Sequence, residues 1–554
     1  MRGLVLSGLT ALALSGCATT SAPPSSAGIS AKIPMEQFKA GVRELSSDAY
    51  EGRAPGTPGE EKTLAWLVRE FTAAGLTPGN KGSWFQDVPL VEIEARNVAP
   101  LTFSGGKGAP LSLAYGPQMV VASYQVTPRI DLANSDVVFV GYGINAPERG
   151  WNDYAGVDVK GKTVVILVND PDYQTPGLTG TFGGRAMTYY GRWTYKYEEA
   201  ARQGAAAAII VHQTEPAAYG WNVVQSSWTG AQQLADSADG GADQSKAVGW
   251  IQLDAAKALF ARAGKDFGTL AAAAQQPGFK PVPLTGVTAS VSFDNAIRKH
   301  ASKNVVGILP GTERPDEVVL YTAHWDHLGR CGAAPDGDDI CNGAIDNATG
   351  TAALAALAKA NADAGATPRS QVFLAVTAEE SGLLGSAYYG DNPVYPHGQT
   401  VAGVNMDALS MAGPANNVIV VGKGKSELDA YLDRALAAEG RVATAEPTPE
   451  KGFYYRSDHF SFAKHGVPML YFEGGDDLVT GGKAAGAAAA KAYEENAYHG
   501  PQDEYDPNWD WTGVERDLQL YYTVGRALAQ TDAWPNWVAG DEFRAIRDKS
   551  RAGR

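Results

Sequence analysis

The chain has 554 residues, of which 44% are hydrophobic, including 12 Trp and 24 Tyr, so it can bury a large core and does not read as disordered. That length exceeds one ordinary core, and two domains are expected. A net charge of −15 excludes a nucleic-acid binder, whose phosphate contacts need basic stripes, and suits a partner of small size.

The chain opens with Arg2, an apolar run over 3–14, then Ser15, Gly16 and Cys17. These are the parts of a secretory signal, and the run is too short to span a bilayer. The ending LSGC resembles a bacterial lipobox, which implies cleavage before Cys17 and a lipid on that residue; the alternative is an ordinary signal peptide with a chance cysteine. Ala18 after the cysteine favours the outer membrane in Gram-negative lipoproteins. Residues 18–33, starting ATTSAPPSSAGIS, are rich in small residues, Pro and Ser, and are expected to form a flexible tether. No second hydrophobic segment of spanning length follows.

The folded chain is expected to begin with 34–130, break near 130, and resume at about 295 to run to 540, with 541–554 as a tail. The intervening 131–294 contains VVFVGYGI, VKGKTVVILVND and YEEAARQGAAAAIIVHQ, a mixture of strands and Ala-rich helical stretches without a catalytic constellation. Its aromatic residues in 189–197, with Trp221 or Trp228, are expected either to shape access to a site or to fill a core. After 295, three β-branched apolar runs, 317–323, 371–376 and 401–406, end at or just before His324, Glu379–Glu380 and Asp407. Between them 348–361 has the Ala and Leu content of a buried crossover helix opening after Asp346. Strand, helix, strand predicts an α/β fold with a doubly wound, mostly parallel sheet, whose ligand crevice lies outside the carboxyl ends of the strands. Residues 474–497, rich in Gly, Ala and Glu, are expected to form a short helix near the mouth of that crevice.

His324, Asp346, Glu380, Asp407 and His499 are all of metal-ligand type. Zinc takes His nitrogen and Asp or Glu oxygen, and a two-metal hydrolytic site needs one carboxylate to bridge the ions. Two His, one bridging Asp and two terminal carboxylates give three ligands per ion, and Glu379 is left over for proton transfer. His327 has no slot in this set and is expected to support the ligands or pack structurally. His212, His300, His397 and His465 carry no motif that calls for chemistry.

The local words are more specific than the residues: HWDHLG at 324–329, NGAIDNATG at 342–350, VTAEESGLLGS at 376–386, VNMDALS at 404–410, YYRSDHFSFAKHGVPMLYF at 454–472 and YHGPQDEYD at 498–506. In this order they resemble the M28 family of zinc peptidases, whose best-known members are co-catalytic aminopeptidases, and EGRAPGTPGEEKTLAWLVREFTAAGLTP at 51–78 resembles the family's N-terminal segment. The resemblance implies a zinc-peptidase-like catalytic domain carrying 131–294 as an inserted, smaller α/β or β-rich protease-associated domain. It implies two zinc ions per chain, with Asp346 bridging, His324 and Asp407 completing one site, and Glu380 and His499 the other. Glu379 is the implied general base, taking a proton from the attacking water and returning it to the leaving amine. Asp326 is implied to orient the His324 imidazole by accepting its other N–H. Tyr454 is implied to stabilise the oxyanion, with Tyr455 as the alternative, while Asp458 and His459 hold that loop in shape. The bond between Asp346 and Asn347 matches a position often cis in the family.

The expected function is therefore removal of single residues from the free N-terminus of peptides, outside the cytoplasm, with membrane attachment only through the lipid on Cys17 and no nucleic-acid partner. The alternatives are an M28-like glutaminyl cyclase, a carboxypeptidase, for which Arg456 is the one basic residue near the implied oxyanion tyrosine, and a non-catalytic surface binding protein. Cys331 and Cys341 bracket the loop between His324 and Asp346, and in an oxidising compartment they are expected to close a disulfide; the alternative is two free thiols.

Overall fold

Four strands that run in one direction form the centre of the fold. Arg369–Val376, Arg314–His324, Thr400–Asn405 and Met469–Gly474 lie parallel in that spatial order in the computed structural model, which describes residues 29–331, 334 and 337–552. The signal segment, Cys17 and the tether up to residue 28 lie outside the described residues. Every residue of Arg369–Val376 and of Thr400–Asn405 is buried, the mark of strands covered on both faces, and this is why their sequences read as apolar runs instead of alternating.

Side-chain alternation then divides the two faces. Val319, Tyr321, Ala323, Phe373, Ala375 and Val404 pack beneath the helices Thr349–Asp363 and Thr512–Gln530. Val318, Leu320, Val372, Leu374 and Val376 face the other way, against Tyr389 and Phe462. Helices on both faces of a mostly parallel sheet make the expected doubly wound α/β fold. Helix Thr512–Gln530 comes so close that a Cβ at Gly525 would sit 2.1 Å from the Tyr321 hydroxyl, so only glycine fits there. Asn417–Val420 extends the sheet antiparallel to Met469–Gly474, and Val442–Ala445 lies outside it.

On the opposite side Val282–Leu309 pairs antiparallel with Arg369–Val376 and is itself paired further by Thr77–Pro78 and Phe85–Arg96; this strand of 28 residues is shared by two cores. Its C-terminal part places Val305 in the main core, whereas Leu284, Val287, Ala289, Val291 and Phe293 enter a second. Around that second core Arg129–Phe139, Thr163–Leu167, Ala207–His212 and Ala247–Gln252 run parallel, with Met119–Ala122 antiparallel at the edge. This body is thus α/β in type, with helices Trp193–Arg202 and Leu253–Arg262 packed on it. Leu101, Phe103, Leu113 and Met119 belong to the same core, ahead of the expected start at 131, because the short strands of 101–122 find their partners in 282–293 and 247–252.

The start of the main body is also earlier than expected. Ile33 is buried, Ile29 and Ala31 pack on the main core, and the Thr523 hydroxyl donates to the Ile29 carbonyl at 3.2 Å. Among the described residues no helix is long and apolar enough to cross a membrane.

Candidate metal centre

The carboxyl ends of the parallel strands bring the expected ligands together. His324 is the last residue of its strand, Glu379 and Glu380 follow Val376 after two residues, and Asp407 follows Asn405 after one. Asp346 comes from the tight segment Ala344–Ala348 that opens the crossover helix, and its peptide bond to Asn347 is cis. His499 follows the helix Gly482–Asn496, which is longer than the short element expected there.

Asp346 offers one oxygen to each imidazole. Its Oδ1 is 3.3 Å from His324 Nε2 and its Oδ2 is 3.3 Å from His499 Nε2. His324 Nε2 also lies 3.2 Å from Asp407 Oδ1, and His499 Nε2 lies 3.1 Å from Glu380 Oε2. Two donors each bound tetrahedrally to one zinc at about 2.0 Å stand about 3.3 Å apart, so these are the separations expected of ligands around a shared ion. The donors form two overlapping sets joined by Asp346, and their chemistry, imidazole nitrogen and carboxylate oxygen, fits zinc.

Charge points the same way. Burial alone would push the His324 imidazole down, yet the charges of Asp407 and Glu379 and the bonds from Asp346 and Asp407 hold it well above its ordinary value. His499 is likewise pushed up to about 10, against the effect of burial, chiefly by Glu380 and Asp346. Burial would raise Asp346, but the bonds from the two imidazoles keep it well below the usual carboxylate range. The carboxylate cluster thus calls for positive charge, which bound cations would supply. Glu379 is raised well above its ordinary value by burial, with Asp407 and Glu380 adding to the effect, and joins His324 and Glu380 in one cluster of donor atoms.

Several residues position the ligands without having been found in the sequence. The Asn347 amide donates to the carbonyls of His324 at 3.3 Å and Met406 at 3.1 Å, while its oxygen accepts the N–H of Gly350 at 2.9 Å and of Ala408 at 3.2 Å. One side chain therefore ties together the backbones that present three ligands. Asp503 accepts the N–H groups of Ile345 at 2.9 Å and Asp346 at 3.0 Å. Ser457 donates to Asp407 Oδ2 at 2.5 Å and accepts from the Asn405 amide, whose oxygen accepts from Thr322. His327 Nδ1 stands 2.5 Å from Glu380 Oε1, a supporting role within the expected range. Arg53, fully buried, donates to the carbonyls of Leu45, Trp325, Asn342 and Gly343 and so pins the N-terminal segment beneath the loop that carries Asp346. Non-glycine residues with left-handed backbone flank the ligands: Ala378 before Glu379, Ala408 after Asp407, and His499 itself. Such positions cost about 1–2 kcal/mol each and persist where surrounding bonds over-determine them.

Asp326 differs in detail from its expected part. The acceptor close to His324 Nδ1 is the Asp326 main-chain carbonyl at 3.1 Å, while the carboxylate is 3.9 Å away. That carboxylate instead accepts the Glu379 N–H at 3.1 Å, so Asp326 fixes the backbone of the implied base.

Tyr454 is not brought to the ligands. It lies in an aromatic cluster with Tyr455, Phe460, Trp537 and Phe543, with Lys425 Nζ 5.0 Å from its ring centroid. The charges that act on it are Asp541, Glu542 and Asp429. Tyr455 is bonded to Glu542 at 3.0 Å. The tyrosine that does meet the site is Tyr498, stacked on His499 at 3.9 Å between ring centroids and acted on by Asp346, Glu380 and Glu379. Its place immediately before a ligand was the one sequence signal for it.

Cys331 and Cys341 are bridged, with Cα atoms 5.8 Å apart. Of the aromatic residues expected either to shape access or to fill a core, Tyr197 and Trp228 belong to a separate core of the second body, formed with Val120, Val138, Val164 and Trp250, with Trp193 and Trp221 packed on it. Tyr189 reaches the main body, with ring centroids 5.0 Å from Phe460 and 6.1 Å from Tyr455.

Residues 304–523 match the profile of peptidase family M28. A leucine aminopeptidase 2 of Arthroderma otae is 25% identical over 510 residues, covering 86% of this chain and 80% of the relative. Aminopeptidase NAALADL1 of Mus musculus is 31% identical over 139 residues, 24% of this chain and 17% of the relative. Among solved structures, an aminopeptidase from Aneurinibacillus sp. strain AM-1 is 19% identical with a TM-score of 0.49, over 90% of this chain and 95% of that one. The zinc aminopeptidase BSAP from Bacillus subtilis is 18% identical with a TM-score of 0.43, over 93% and 99%.

Proposed function

We propose that the chain, whose residues 304–523 match peptidase family M28, is a zinc-dependent aminopeptidase that removes N-terminal residues from peptides. The observation that carries the reading is that the two oxygens of Asp346 meet His324 and His499, each at 3.3 Å, while His324 also meets Asp407 at 3.2 Å and His499 meets Glu380 at 3.1 Å. His324, Asp346 and Asp407 would hold one zinc and His499, Asp346 and Glu380 the other. Bound there, zinc supplies Lewis-acid polarisation of the scissile carbonyl and a lowered pKa for water.

The remaining chemistry belongs to the chain. Glu379, kept basic by burial and by its acidic neighbours, takes a proton from the attacking water on its carboxylate and passes it to the leaving amine. Asp326 fixes the backbone from which Glu379 projects. The acidic surroundings of the ligands suit a substrate that presents a protonated amine. The signal-like start and LSGC support export and a lipid on Cys17 as part of the same reading.

The test is hydrolysis of a panel of aminoacyl p-nitroanilides by the soluble chain beginning after Cys17, beside matched N-acetylated substrates and a chelator control. Chelator-sensitive cleavage that requires the free amine supports the proposal. Cleavage of N-acetylated peptides alone, or none with zinc present in the protein, would overturn it.

A further inference from the structure

Helix Gly482–Asn496 leads into the ligand His499, yet little of it is buried. Gly486 is buried, and every other residue of the helix is exposed or half-buried. Its sequence, GKAAGAAAAKAYEEN, is rich in Ala, so helical propensity forms it and packing adds little. Its place on the main body therefore depends on particular contacts. Towards the N-terminal end a Cβ on Gly486 would lie 2.0 Å from the Asp476 carbonyl oxygen, so only glycine lets the helix approach that closely. Towards the C-terminal end Lys451 pairs with Glu494 at 3.2 Å, but the pair is open to solvent and such pairs hold weakly. The firmer contact there is made by Tyr493.

The Tyr493 hydroxyl donates to Asp503 Oδ2 at 3.1 Å. The same oxygen accepts the main-chain N–H of Asp346 at 3.0 Å, while Oδ1 accepts that of Ile345 at 2.9 Å. Asp503 is buried, and the loop it aims holds Asp346 Oδ2 3.3 Å from His499 Nε2. Tyr493 also reaches His499 from the other side. Its carbonyl accepts the N–H groups of Ala497 and Tyr498, each at 2.9 Å, which closes the turn that ends in His499. Its ring centroid lies 5.9 Å from that of Tyr498, which stacks on the His499 imidazole. One residue is thus tied to both members of the Asp346–His499 pair, to one through a carboxylate and to the other through a turn. A hydrogen bond to a carboxylate is stronger than one between neutral groups, so the phenol is well placed to fix this spacing.

We propose that Tyr493 is a positioning residue of the metal centre: through Asp503, its hydroxyl holds the Asp346 loop at the spacing from His499 that lets both ligate one ion. The inference rests on the zinc-dependent reading above and adds a residue to it. Tyr493 acts by way of Asp503 and not by ligating a metal.

The experiment measures the zinc affinity of the soluble chain, of Tyr493→Phe, of Asp503→Ala and of the double variant by competition with a zinc-binding dye. The urea midpoint of each is measured in chelator. Tyr493→Phe should lose about tenfold in zinc affinity, within the range for loss of groups that support metal ligands, with its metal-free midpoint unchanged. In the Asp503→Ala background the same substitution should change the affinity by less than about twofold, because the phenol has lost the acceptor through which it acts. Equal losses in the two backgrounds would show that Tyr493 acts by another route and would overturn the proposal, as would an unchanged affinity in Tyr493→Phe. A loss accompanied by a lower metal-free midpoint would make the role structural and overturn it too. These outcomes leave the zinc-dependent reading standing, whereas a wild-type chain that binds no zinc would overturn that reading and this proposal with it. Tyr493→Phe decides the matter even where Asp503→Ala does not fold.

Discussion

Asp503 Oδ2 accepts the main-chain N–H of Asp346 at 3.0 Å, so the carboxylate that joins the two donor sets is aimed by another carboxylate 157 positions along the chain. Asp503 also holds Ile345, which requires both of its oxygens as acceptors. Asp503→Asn turns one acceptor into a donor facing an N–H. Zinc affinity should fall about 10–100-fold, as for loss of other residues that support metal ligands, with the fold intact. Competition against a zinc-binding dye measures it; an unchanged affinity would remove Asp503 from the account.

Glu379→Gln should retain zinc and lose turnover by about 10²–10⁴-fold, the usual contribution of a positioned general base. Metal content and kcat measured on the same preparation separate the two effects. Wild-type turnover in this variant would show that the proton goes elsewhere.

Arg53→Met removes a fully buried cation that satisfies four main-chain carbonyls and pins the Asp346 loop. Leaving those acceptors unpaired should cost about 3 kcal/mol or more, read as a lower midpoint in urea. A loss below about 1 kcal/mol would place Arg53 among ordinary surface changes.

His459 makes the pH dependence testable. Its ring is buried against Tyr454 and Tyr471, at 4.7 and 5.0 Å between centroids, and burial pushes its imidazole down to about 3. In the unfolded chain the group titrates near 6.5, so below that pH the unfolded state takes up a proton that the folded state refuses. Stability from this group is fully present above about 6.5 and is lost as pH falls towards about 3. His459→Phe should therefore lose less Tm than the wild type on going from about pH 7.5 to about pH 4. Parallel losses in the two proteins would contradict this origin.

The fold was legible where hydrophobic runs set it. Strands ending at His324, Val376 and Asn405, and the helix opening at Thr349, lie within a few residues of the stretches read from the sequence. What brings the ligands together follows from that topology, since parallel strands expose their carboxyl ends on one side. The residues that aim the ligands were not legible, because Asn347, Asp503 and Arg53 act on main-chain groups, which leave no trace in side-chain identity. Tyr454 shows the same limit: its spacing from Ser457 does not say whether a turn sends the ring into the core or the cleft. The second body begins before 131 because the strands of 101–122 are short and find their partners far along the chain.

In the proposed function one carboxylate, that of Asp346, joins two zinc sites. This is tested most directly by adding zinc to the chelator-stripped chain and following hydrolysis of Leu-p-nitroanilide against equivalents bound. Activity should reach its plateau only when two zinc ions are bound per chain, and Asp346→Ala should recover no activity at any zinc concentration. A full plateau at one bound ion, or an active Asp346→Ala variant, would contradict it.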